Sequence, residues 1–519
     1  MQHAADLLAG LARDVGAANL STAPPDRIAY SRDLWPRSQL DRLAGDPPVR
    51  PSCVVWPGSP EEIAAVVRRC ASAGVPIVPF GAGSGVCGGT RPDGGGVVVD
   101  VKRLKRVRRL DVEAGEVEVE AGLMGENFER RLERAGVTLG HFPSSILCST
   151  VGGWVAGRSA GQCSSRYGKI EDMVIDLEVV TGDGVLRRTP RADAIGPGPD
   201  WNQLFVGSEG TLGVITAATL RVHPQPVHRA FGGWLMPDYR AGLAVMRGSM
   251  QAGDRPAVIR LYDALDTFMV GANPNRAEGG GPLARLKDLL GTGGGHGGPQ
   301  SRLKQALLRT VLGAPGLANR AVRTLPQRCL MIGVCEGQTG EAEAAHARLG
   351  SLARAAGGQD LGETPGRNWL AHRHDVSYKQ SRIDEAGCFV DTCEVATTWA
   401  RLPALYEAVR RAVGPFVLVM AHFSHAYPGG CSIYFTFAGS GRDVDAMRRR
   451  YDAAWRAGLD AAAAHGAAIA HHHGVGLSRR WHMAEAHGEA RQWFDALKRT
   501  LDPAGVMNPG KVFAEEGAS

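Results

Sequence analysis

The stretch VPIVPFGAGSG, residues 75–85, joins a short apolar run to a loop of glycines. Upstream, Ser59-Pro60-Glu61-Glu62 has the pattern of a helix N-terminus, with serine at the N-cap, proline at the first helical position and glutamate at the third. Apolar residues then recur at helical spacing as far as Gly74, and Cys53–Trp56 precedes the helix as a short apolar run. This order predicts a β-α-β unit that ends in the glycine loop.

The loop itself contains GSGVCG, residues 83–88, which matches the G-x-G-x-x-G pattern of Rossmann dinucleotide sites. That motif must open a helix whose N-terminus holds the pyrophosphate. GTRPDGGG follows instead, and its proline and glycines oppose a helix. The stretch therefore favours a nest of backbone N–H groups for a diphosphate, with a simple glycine turn as the alternative.

Two further segments of small residues lie downstream, within a region whose alternating strands and hairpins predict an α+β unit over residues 50–225. One is PSSILCSTVGGWVAGRSAG, residues 143–161, and the other is GSEGTLGVI, residues 207–215. Three such segments in one unit indicate an extended cofactor that the backbone approaches at several points.

Bulk composition excludes several classes of protein. A net charge of +6 over 519 residues is too dilute for a dedicated nucleic-acid binder. None of the ten cysteines forms a C-x-x-C pair, so zinc-finger and thioredoxin-like sites have no support. Scattered cysteines suit a reducing cytoplasm, and neither a signal peptide nor a long apolar span is evident. We expect a cytoplasmic protein.

The chain divides by pattern into four regions: a helical lead-in at 1–50, a cofactor domain at 51–225, a substrate (cap) domain at 226–465 and a C-terminal segment at 466–519. The cap domain contains a glycine-rich, basic stretch, residues 276–326, which we interpret as a mobile surface insertion. Peripheral contact with a membrane, or a role as a lid, are the alternatives for this stretch.

Tyr434 lies in CSIYFTF, where polar and apolar residues alternate as in a strand with one polar face. If Pro428-Gly429-Gly430 closes a simple hairpin, Tyr434 stands opposite Ser424, and His422 shares its face. Core packing is the ordinary role of a strand tyrosine. The functional alternative is general acid–base work, for which a phenol of pKa about 10 needs cationic neighbours.

IAHHHGVGLS, residues 469–478, places three histidines before Gly-x-Gly. A strand would turn His471 and His473 to one side and His472 to the other. Such a pair can chelate a metal, but no carboxylate accompanies it at a matching spacing, and we expect none. A structural role is a second alternative. Binding of a phosphate-bearing substrate, with tuning of Tyr434, is the third and the one we favour.

Taken together, PFGAGSG (79–85), STVGGWVAGRSAG (149–161), YGKIEDMV (167–174), GSEGTLGVIT (207–216) and LDPAGVMNPGKVF (501–513) resemble the FAD-linked oxidase superfamily of vanillyl-alcohol oxidase or PCMH type. The resemblance covers roughly residues 45–515. It implies the α+β class, with a PCMH-type FAD-binding domain of two subdomains and an inserted antiparallel-sheet cap domain. The C-terminal tail is expected to complete the FAD domain.

The resemblance also implies which residues contact FAD. It places them in four segments: Pro79, Phe80, Gly81, Ala82, Gly83, Ser84 and Gly85; Pro143, Ser144, Ser145, Ile146, Leu147, Cys148 and Ser149; Ala156, Gly157, Arg158 and Ser159; and Glu209, Gly210, Thr211, Leu212, Gly213, Val214 and Ile215. Some members tether FAD to a His or Cys. The first segment has no His, and Cys87 matches no tether, so we expect non-covalent FAD.

Within the superfamily, HHHGVG with Tyr434 upstream is similar to the alkyldihydroxyacetonephosphate synthases. They exchange the acyl chain of acyl-dihydroxyacetone phosphate for a fatty alcohol in ether lipid synthesis. The similarity implies catalytic roles for Tyr434, His471, His472 and His473. Arg260, in the stretch RLYD, is implied as a catalytic residue as well.

Substrate binding is assigned to His422 and Arg382. When the family pattern is anchored on Trp399, Arg382 stands two residues from the place of the family's carboxylate-binding arginine. Lys379 or a shifted Arg382 takes that role, or the role is missing.

Two other functions stay open at the level of sequence. The generic flavin motifs equally suit an FAD-linked dehydrogenase or oxidase of a 2-hydroxy acid or alcohol, and a flavin-binding subunit without catalysis of its own is the third possibility. The expected partners are a lipid or small-molecule substrate and a second copy in a homodimer, with no nucleic acid.

Overall fold

The computed structural model describes residues 2–45, 49–193, 198–270, 299–324, 326–374, 383 and 386–514. The chain divides into two compact units. The first comprises Met1–Gly161, Gly168–Gln225 and Ala470–Ser519, and the second comprises Gln162–Tyr167 and Pro226–Ile469. The C-terminal segment thus belongs to the same unit as the N-terminal third of the chain.

The described helices, numbered here in chain order, are α1 (Gln2–Val15), α2 (Pro24–Ala29), α3 (Pro36–Leu43), α4 (Pro60–Ala73), α5 (Gly125–Arg134), α6 (Val151–Ala156), α7 (Ser164–Tyr167), α8 (Ile170–Met173), α9 (Tyr239–Gln251), α10 (Ala264–Val270), α11 (Pro299–Gly313), α12 (Pro315–Val322), α13 (Glu341–Ala355), α14 (Thr364–His372), α15 (Leu402–Val413), α16 (Val444–Ala464), α17 (Arg480–His487) and α18 (Ala490–Leu501). None of these described helices is both long and apolar enough to cross a membrane.

The described strands are β1 (Leu20–Ser21), β2 (Cys53–Val55), β3 (Ile77–Phe80), β4 (Val97–Asp100), β5 (Val107–Asp111), β6 (Glu116–Glu120), β7 (Val137–Thr138), β8 (Val174–Thr181), β9 (Leu186–Arg188), β10 (Gly213–Arg221), β11 (His223–Pro224), β12 (His228–Met236), β13 (Val258–Tyr262), β14 (Cys329–Gly337), β15 (Gln359–Asp360), β16 (Cys388–Thr398), β17 (Leu418–Ala426) and β18 (Gly430–Ser440). The mixture of helices with mainly antiparallel sheets confirms the predicted α+β class.

The first unit contains a four-stranded sheet in the order β1-β2-β4-β3, a five-stranded sheet in the order β5-β6-β10-β8-β9, and the short pair β11-β7. Strands β2, β4 and β3 run parallel, as a β-α-β unit requires. The five-stranded sheet is antiparallel throughout. The predicted β-α-β unit and hairpins are therefore present.

Local capping explains the limits of α4. The Ser59 hydroxyl accepts a hydrogen bond from the Glu62 backbone N–H at 3.2 Å, as predicted. The Glu62 carboxylate reaches the backbone N–H of Gly58 at 2.6 Å rather than that of Ser59, so the reciprocal bond is displaced by one residue. Gly74 ends the helix in the left-handed region with φ 63°, which a residue without Cβ adopts freely.

The C-terminal segment adds backbone pairing to the edge of β3. The Ile77 N–H donates to the Val506 carbonyl at 2.8 Å, and the Asn508 N–H donates to the Ile77 carbonyl at 2.8 Å. The Lys498 ammonium donates to the carbonyls of Thr211 and Met507 at 2.6 and 2.8 Å. These bonds attach the tail to Thr211, in the fourth segment predicted to contact FAD, and to β3, which leads into the first.

The second unit is built on one seven-stranded antiparallel sheet, in the order β15-β12-β14-β13-β17-β18-β16. On one face of its β17-β18-β16 end, Phe423, Phe435 and Phe437 pack against aromatic side chains of α15 and α16. Alternation along the strands then turns their polar neighbours to the opposite face.

Residues 299–324 of the predicted mobile insertion form α11 and α12. Leu308 and Leu312 are buried in a cluster with Leu265 and Leu418. The amide of Asn319 donates to the carbonyls of residues 414 and 417 at 3.0 and 2.8 Å. These contacts bury one apolar face of α11, while the mobility predicted for residues 276–326 stays a prediction. Residues 276–298 lie outside the described residues.

Candidate active site

The segments predicted to hold the cofactor meet one another in the first unit. A Cβ on Gly81 would lie 2.3 Å from the Thr150 hydroxyl, and a Cβ on Gly210 would lie 2.7 Å from the Pro79 ring. The Glu209 N–H donates to the Ala156 carbonyl at 3.0 Å. The glycines are therefore required for close approach of these loops, as the sequence pattern indicated.

Backbone strain coincides with the same segments. Arg158 and Glu209 are non-glycine residues in the left-handed region, with φ of 51° and 50°. Conformations of this kind cost on the order of 1–3 kcal/mol and persist where the surrounding contacts impose them, often at functional sites. Both residues fall within the predicted FAD segments.

The loop after β3 has the donors that a diphosphate needs. Within the described part of the chain, no backbone N–H from Ala82 to Gly85 donates to a protein acceptor. Gly83 has φ 67°, and the chain continues from this loop to β4 at Val97 without a helix. Consecutive open N–H groups on small residues form a nest for phosphate oxygens. The donor set and the glycine cradle therefore fit FAD.

The histidine segment is positioned by Glu209. Its carboxylate accepts hydrogen bonds from the backbone N–H groups of Val475 and Gly476, the latter at 2.8 Å. Burial raises the pKa of Glu209, while these backbone donors and then the charges of Lys511 and Arg479 oppose that effect. One side chain thus connects the GSEGTLG loop to the end of HHHGVG.

The predicted strand geometry of the three histidines is wrong. Residues 471–473 form consecutive bends, and Nδ1 of His471 lies 2.8 Å from Nδ1 of His472. The rings of His472 and His473 are also in contact, with centroids 4.7 Å apart. Directly after the histidines the chain turns at Gly474, which has φ 77°, and Glu209 then binds the N–H groups of Val475 and Gly476. The three imidazoles cluster instead of alternating.

In the second unit, the register of the β17-β18 hairpin differs from the prediction. Tyr434 stands opposite His422, and Ser424 stands opposite Ser432. Two changes of one residue each cause the difference. The turn closes between Tyr427 and Gly430, and a bulge forms at His425, which has φ 53°. Because together they shift the register by two residues, Tyr434 and His422 still share a face.

A polar assembly occupies that face, and we call Arg260, Asp266, His422 and Tyr434 the strand cluster. The rings of His422 and Tyr434 stack with centroids 4.9 Å apart and planes 14° from parallel. His422 Nε2 contacts Nη2 of Arg260, and His422 Nδ1 lies 3.3 Å from the Asp266 carboxylate. The structure therefore brings together three of the residues predicted from sequence, and Asp266 joins them.

These contacts determine the tautomer of His422. The Arg260 guanidinium can only donate, so Nε2 of His422 must accept its hydrogen bond. The ring proton is therefore on Nδ1, which donates a hydrogen bond to the Asp266 carboxyl group. Burial, and then the Arg260 guanidinium, lower the pKa of His422 well below its usual range. Burial raises the pKa of Asp266 to about 7, and Arg260 opposes that rise. A neutral imidazole between a cation and a carboxyl group is the result.

Asp263, in the same RLYD stretch as Arg260, serves the other face of the sheet. Its carboxylate accepts from the Tyr406 hydroxyl at 3.0 Å, from the Ala421 N–H at 3.0 Å and from Arg410 at 3.3 Å. Burial raises the pKa of Asp263 to about 6. The two charged residues of RLYD therefore lie on opposite faces of the sheet. Arg260 belongs to the strand cluster, and Asp263 holds α15 against the other face.

Sequence reasoning missed two acidic residues of the second unit. Asp266 was missed, although its place three residues after Asp263 in RLYDALD is a usable signal. Glu394 was also missed; it stands opposite Tyr434 on β16 and is fully buried. An acidic residue inside the strand pattern CFVDTCEVATT could have indicated it. Arg382 lies outside the described residues.

The raised pKa of Asp266 predicts a pH-dependent stability. Below about pH 3 the carboxyl is protonated in both the folded and the unfolded state. As the pH rises to about 7, the unfolded chain releases this proton and the folded chain keeps it, so stability falls. We expect wild type to lose up to about 4 kcal/mol relative to Asp266→Asn across this window. Urea denaturation of both proteins at several pH values measures the difference, and a pH-independent difference would contradict the assignment.

Comparisons with known proteins agree with this architecture. The model of the FAD binding domain matches residues 51–190, and the model of the C-terminal domain of FAD linked oxidases matches residues 225–512, which is more than half of the chain. An alkyldihydroxyacetonephosphate synthase of Trypanosoma brucei brucei is 29% identical over 503 residues, covering 93% of this chain and 75% of that protein.

Two further matches extend the picture. An uncharacterized FAD-linked oxidoreductase of Escherichia coli O157:H7 is 26% identical over 511 residues, covering 95% of this chain and 96% of that protein. A solved structure of an alkyldihydroxyacetonephosphate synthase superposes with a TM-score of 0.74 at 25% identity, covering 98% of this chain and 85% of the other. The chain therefore belongs to the FAD-linked oxidases of PCMH type, and it is an FAD-dependent enzyme.

Proposed function

We propose that this enzyme exchanges the acyl chain of an acyl-dihydroxyacetone phosphate for a fatty alcohol. The observation that carries the proposal is the strand cluster, which holds a phenol against an imidazole and a guanidinium on one face of the substrate unit's sheet. The similarity to an alkyldihydroxyacetonephosphate synthase, which is 29% identical over 93% of this chain, supports the same reaction.

Each side chain of the strand cluster has a role in this proposal. The Tyr434 hydroxyl removes and returns a proton at the carbon next to the ketone. Asp266 and Arg260 hold His422 in one tautomer, so its ring supports the phenol in a single orientation. Arg260 adds positive charge, which favours the phenolate during proton transfer. When bound, FAD supplies the electrophilic isoalloxazine that this exchange uses.

The histidine segment of the first unit has a proposed role of its own. We assign His471, His472 and His473 to the phosphate group of the substrate, because clustered imidazoles offer several N–H donors to one anion. The FAD is proposed to be non-covalent. The loop at residues 79–85 has no histidine, and the Cys87 side chain is buried.

The direct test is a product assay with no electron acceptor present. The purified holoenzyme is incubated with acyl-dihydroxyacetone phosphate and labelled hexadecanol, and ether-linked product is separated by chromatography. Label in an alkali-stable ether, with release of one fatty acid per product, supports the proposal. Full turnover of other substrates with no ether formed would contradict it.

An FAD-linked oxidoreductase is the second candidate. The observation favouring it is the Escherichia coli relative, which matches end to end with 96% of its length covered. In that case a 2-hydroxy acid or alcohol should bleach the flavin, and colour should return only after an electron acceptor is added. Bleaching by such a substrate, without ether synthesis, selects this function over the transferase.

Peripheral contact with an anionic lipid surface is also proposed, through α11 and α12. Residues 299–335 contain no acidic residue, and the outer side of α12 presents Leu317, 68% exposed, beside the exposed Arg320 and Arg323. Exposed apolar side chains flanked by cations are typical of helices at a membrane interface. A lipid substrate would be supplied at such a surface.

This surface gives a measurable prediction. The double change Arg320→Glu with Arg323→Glu should lower partitioning onto vesicles containing phosphatidylserine by at least about tenfold, since each cation contributes about 1 kcal/mol. Co-sedimentation with and without the anionic lipid measures it. The exposed pair Arg442 and Arg456, changed to glutamate, is the matched control. Equal loss in both double variants would contradict a specific surface.

A further inference from the structure

His141 is a buried histidine beside the predicted FAD segments that no role so far explains. Its side chain is fully enclosed, and Nε2 lies 2.8 Å from the Ser159 hydroxyl. Its ring packs on Trp154 with centroids 4.9 Å apart. A Cβ on Gly161 would lie 2.6 Å from the Phe142 nitrogen, so the two segments touch through their backbones. His141 thus joins the loop between β7 and Pro143 to the end of the third FAD segment.

The surroundings of the ring select one tautomer. Burial lowers the pKa of His141 to about 3, so the imidazole is neutral near neutral pH. Nδ1 is buried and has no hydrogen-bond partner among the described residues. An orphaned N–H costs more than an orphaned lone pair, because native structures tolerate the second more often. The single proton therefore lies on Nε2, where the Ser159 oxygen accepts it.

This arrangement leaves the Ser159 hydroxyl with its own proton free to donate. Ser159 is partly exposed, whereas His141 is completely enclosed, so only the hydroxyl can reach a ligand. The backbone of Ser159 is held as well, since its N–H donates to the Trp154 carbonyl at 3.0 Å. Preceding it, Arg158 adopts φ 51°, which turns the chain out of α6.

We propose that His141 is a positioning residue for the cofactor, whose Nε2–H occupies the Ser159 oxygen and makes the hydroxyl a donor to an oxygen acceptor of FAD. The acceptor is a phosphate oxygen or an oxygen of the flavin ring. The inference depends on FAD binding alone, so it is independent of which reaction the enzyme catalyses.

The test is the affinity of apo-protein for FAD, measured by quenching of flavin fluorescence. Ser159→Ala and His141→Phe should each raise the FAD dissociation constant about tenfold. The double variant should be no weaker than either single variant, because both remove one hydrogen bond. His141→Gln, which retains an N–H near the Nε2 position, should restore affinity to within about twofold to threefold of wild type.

Comparing the binding of FAD, FMN and riboflavin identifies which oxygen of the cofactor accepts the hydrogen bond from Ser159. A loss by Ser159→Ala for FAD and FMN but not for riboflavin indicates a phosphate oxygen. An equal loss for all three indicates the flavin ring. Each result supports the donor role.

His346 provides a matched control, since its ring packs on Trp234 at 5.7 Å and its Nε2 is likewise buried without a partner among the described residues. His346→Phe should leave the FAD dissociation constant unchanged. Unchanged affinity in Ser159→Ala would overturn the proposal. So would a further tenfold loss when His141→Phe is added to Ser159→Ala. If His141→Phe fails to fold, His141→Gln and Ser159→Ala still decide the outcome.

Discussion

Replacing Tyr434 with phenylalanine is expected to lower turnover by about 10²–10⁴-fold while FAD stays bound. The substitution removes only the hydroxyl, so the ring can keep its stacking on His422 at 4.9 Å. What is lost is the group that exchanges a proton with the substrate carbon. Steady-state rates with the substrate identified by the product assay, together with the flavin absorbance of the purified variant, measure both parts of this expectation.

A matched control lies in the same hairpin. Tyr427 donates its hydroxyl to Ser164 at 3.1 Å and belongs to no proposed catalytic contact. Tyr427→Phe should change turnover by no more than about threefold, since one exposed or half-buried neutral hydrogen bond contributes about 1 kcal/mol to stability rather than to the reaction. Full activity in Tyr434→Phe would show that proton transfer has been assigned to the wrong side chain.

Glu209→Gln is expected to destabilise the first unit by about 2–3 kcal/mol and to weaken FAD binding by at least about tenfold. The two carboxylate oxygens accept from Val475 and Gly476. A glutamine would face one of these N–H groups with its own NH₂, leaving a buried donor without an acceptor. The histidine segment and the GSEGTLG loop would then separate. Urea denaturation and titration of apo-protein with FAD measure the two effects.

The same substitution at Glu116 is the control. That carboxylate pairs with Arg191 and Arg109, both substantially exposed, on the five-stranded sheet. Exposed ion pairs contribute about 0–1 kcal/mol, so Glu116→Gln should change little. Wild-type stability and FAD affinity in Glu209→Gln would show that Glu209 does not hold the histidine segment.

Some of this protein could be predicted because its signals are local. The cap at Ser59, the stop at Gly74 and the absence of a helix after the glycine loop each depend on a few adjacent residues. The polar face of CSIYFTF is also local, since side chains alternate along any strand. Tyr434 and His422 were correctly placed on one face although the predicted register was wrong. The turn and the bulge each shift the register by one residue, and a total shift of two leaves every side chain on the same face.

Other features depend on partners far away in the chain, and no local pattern carries that information. Asp266 joins His422 across the sheet, and Asp263 turns to the opposite face to receive Tyr406 and Arg410. Apolar side chains on α11 also pack against residues far away in the chain, Leu265 and Leu418. For the two aspartates burial sets the outcome, because a buried polar group must find a partner wherever the fold supplies one.

By itself, the sequence determined the elements, the small-residue segments that fit FAD and the residue types at the site, because those depend on backbone preferences and spacing. Tertiary structure alone decided the arrangement of the three imidazoles. Their segment is a bend and not a strand, and Glu209, more than 260 positions earlier in the chain, holds the two N–H groups of Val475 and Gly476 that follow it. An acceptor that folding brings in from a distant part of the chain thus fixes the path of the backbone next to the histidines, which no local pattern could predict.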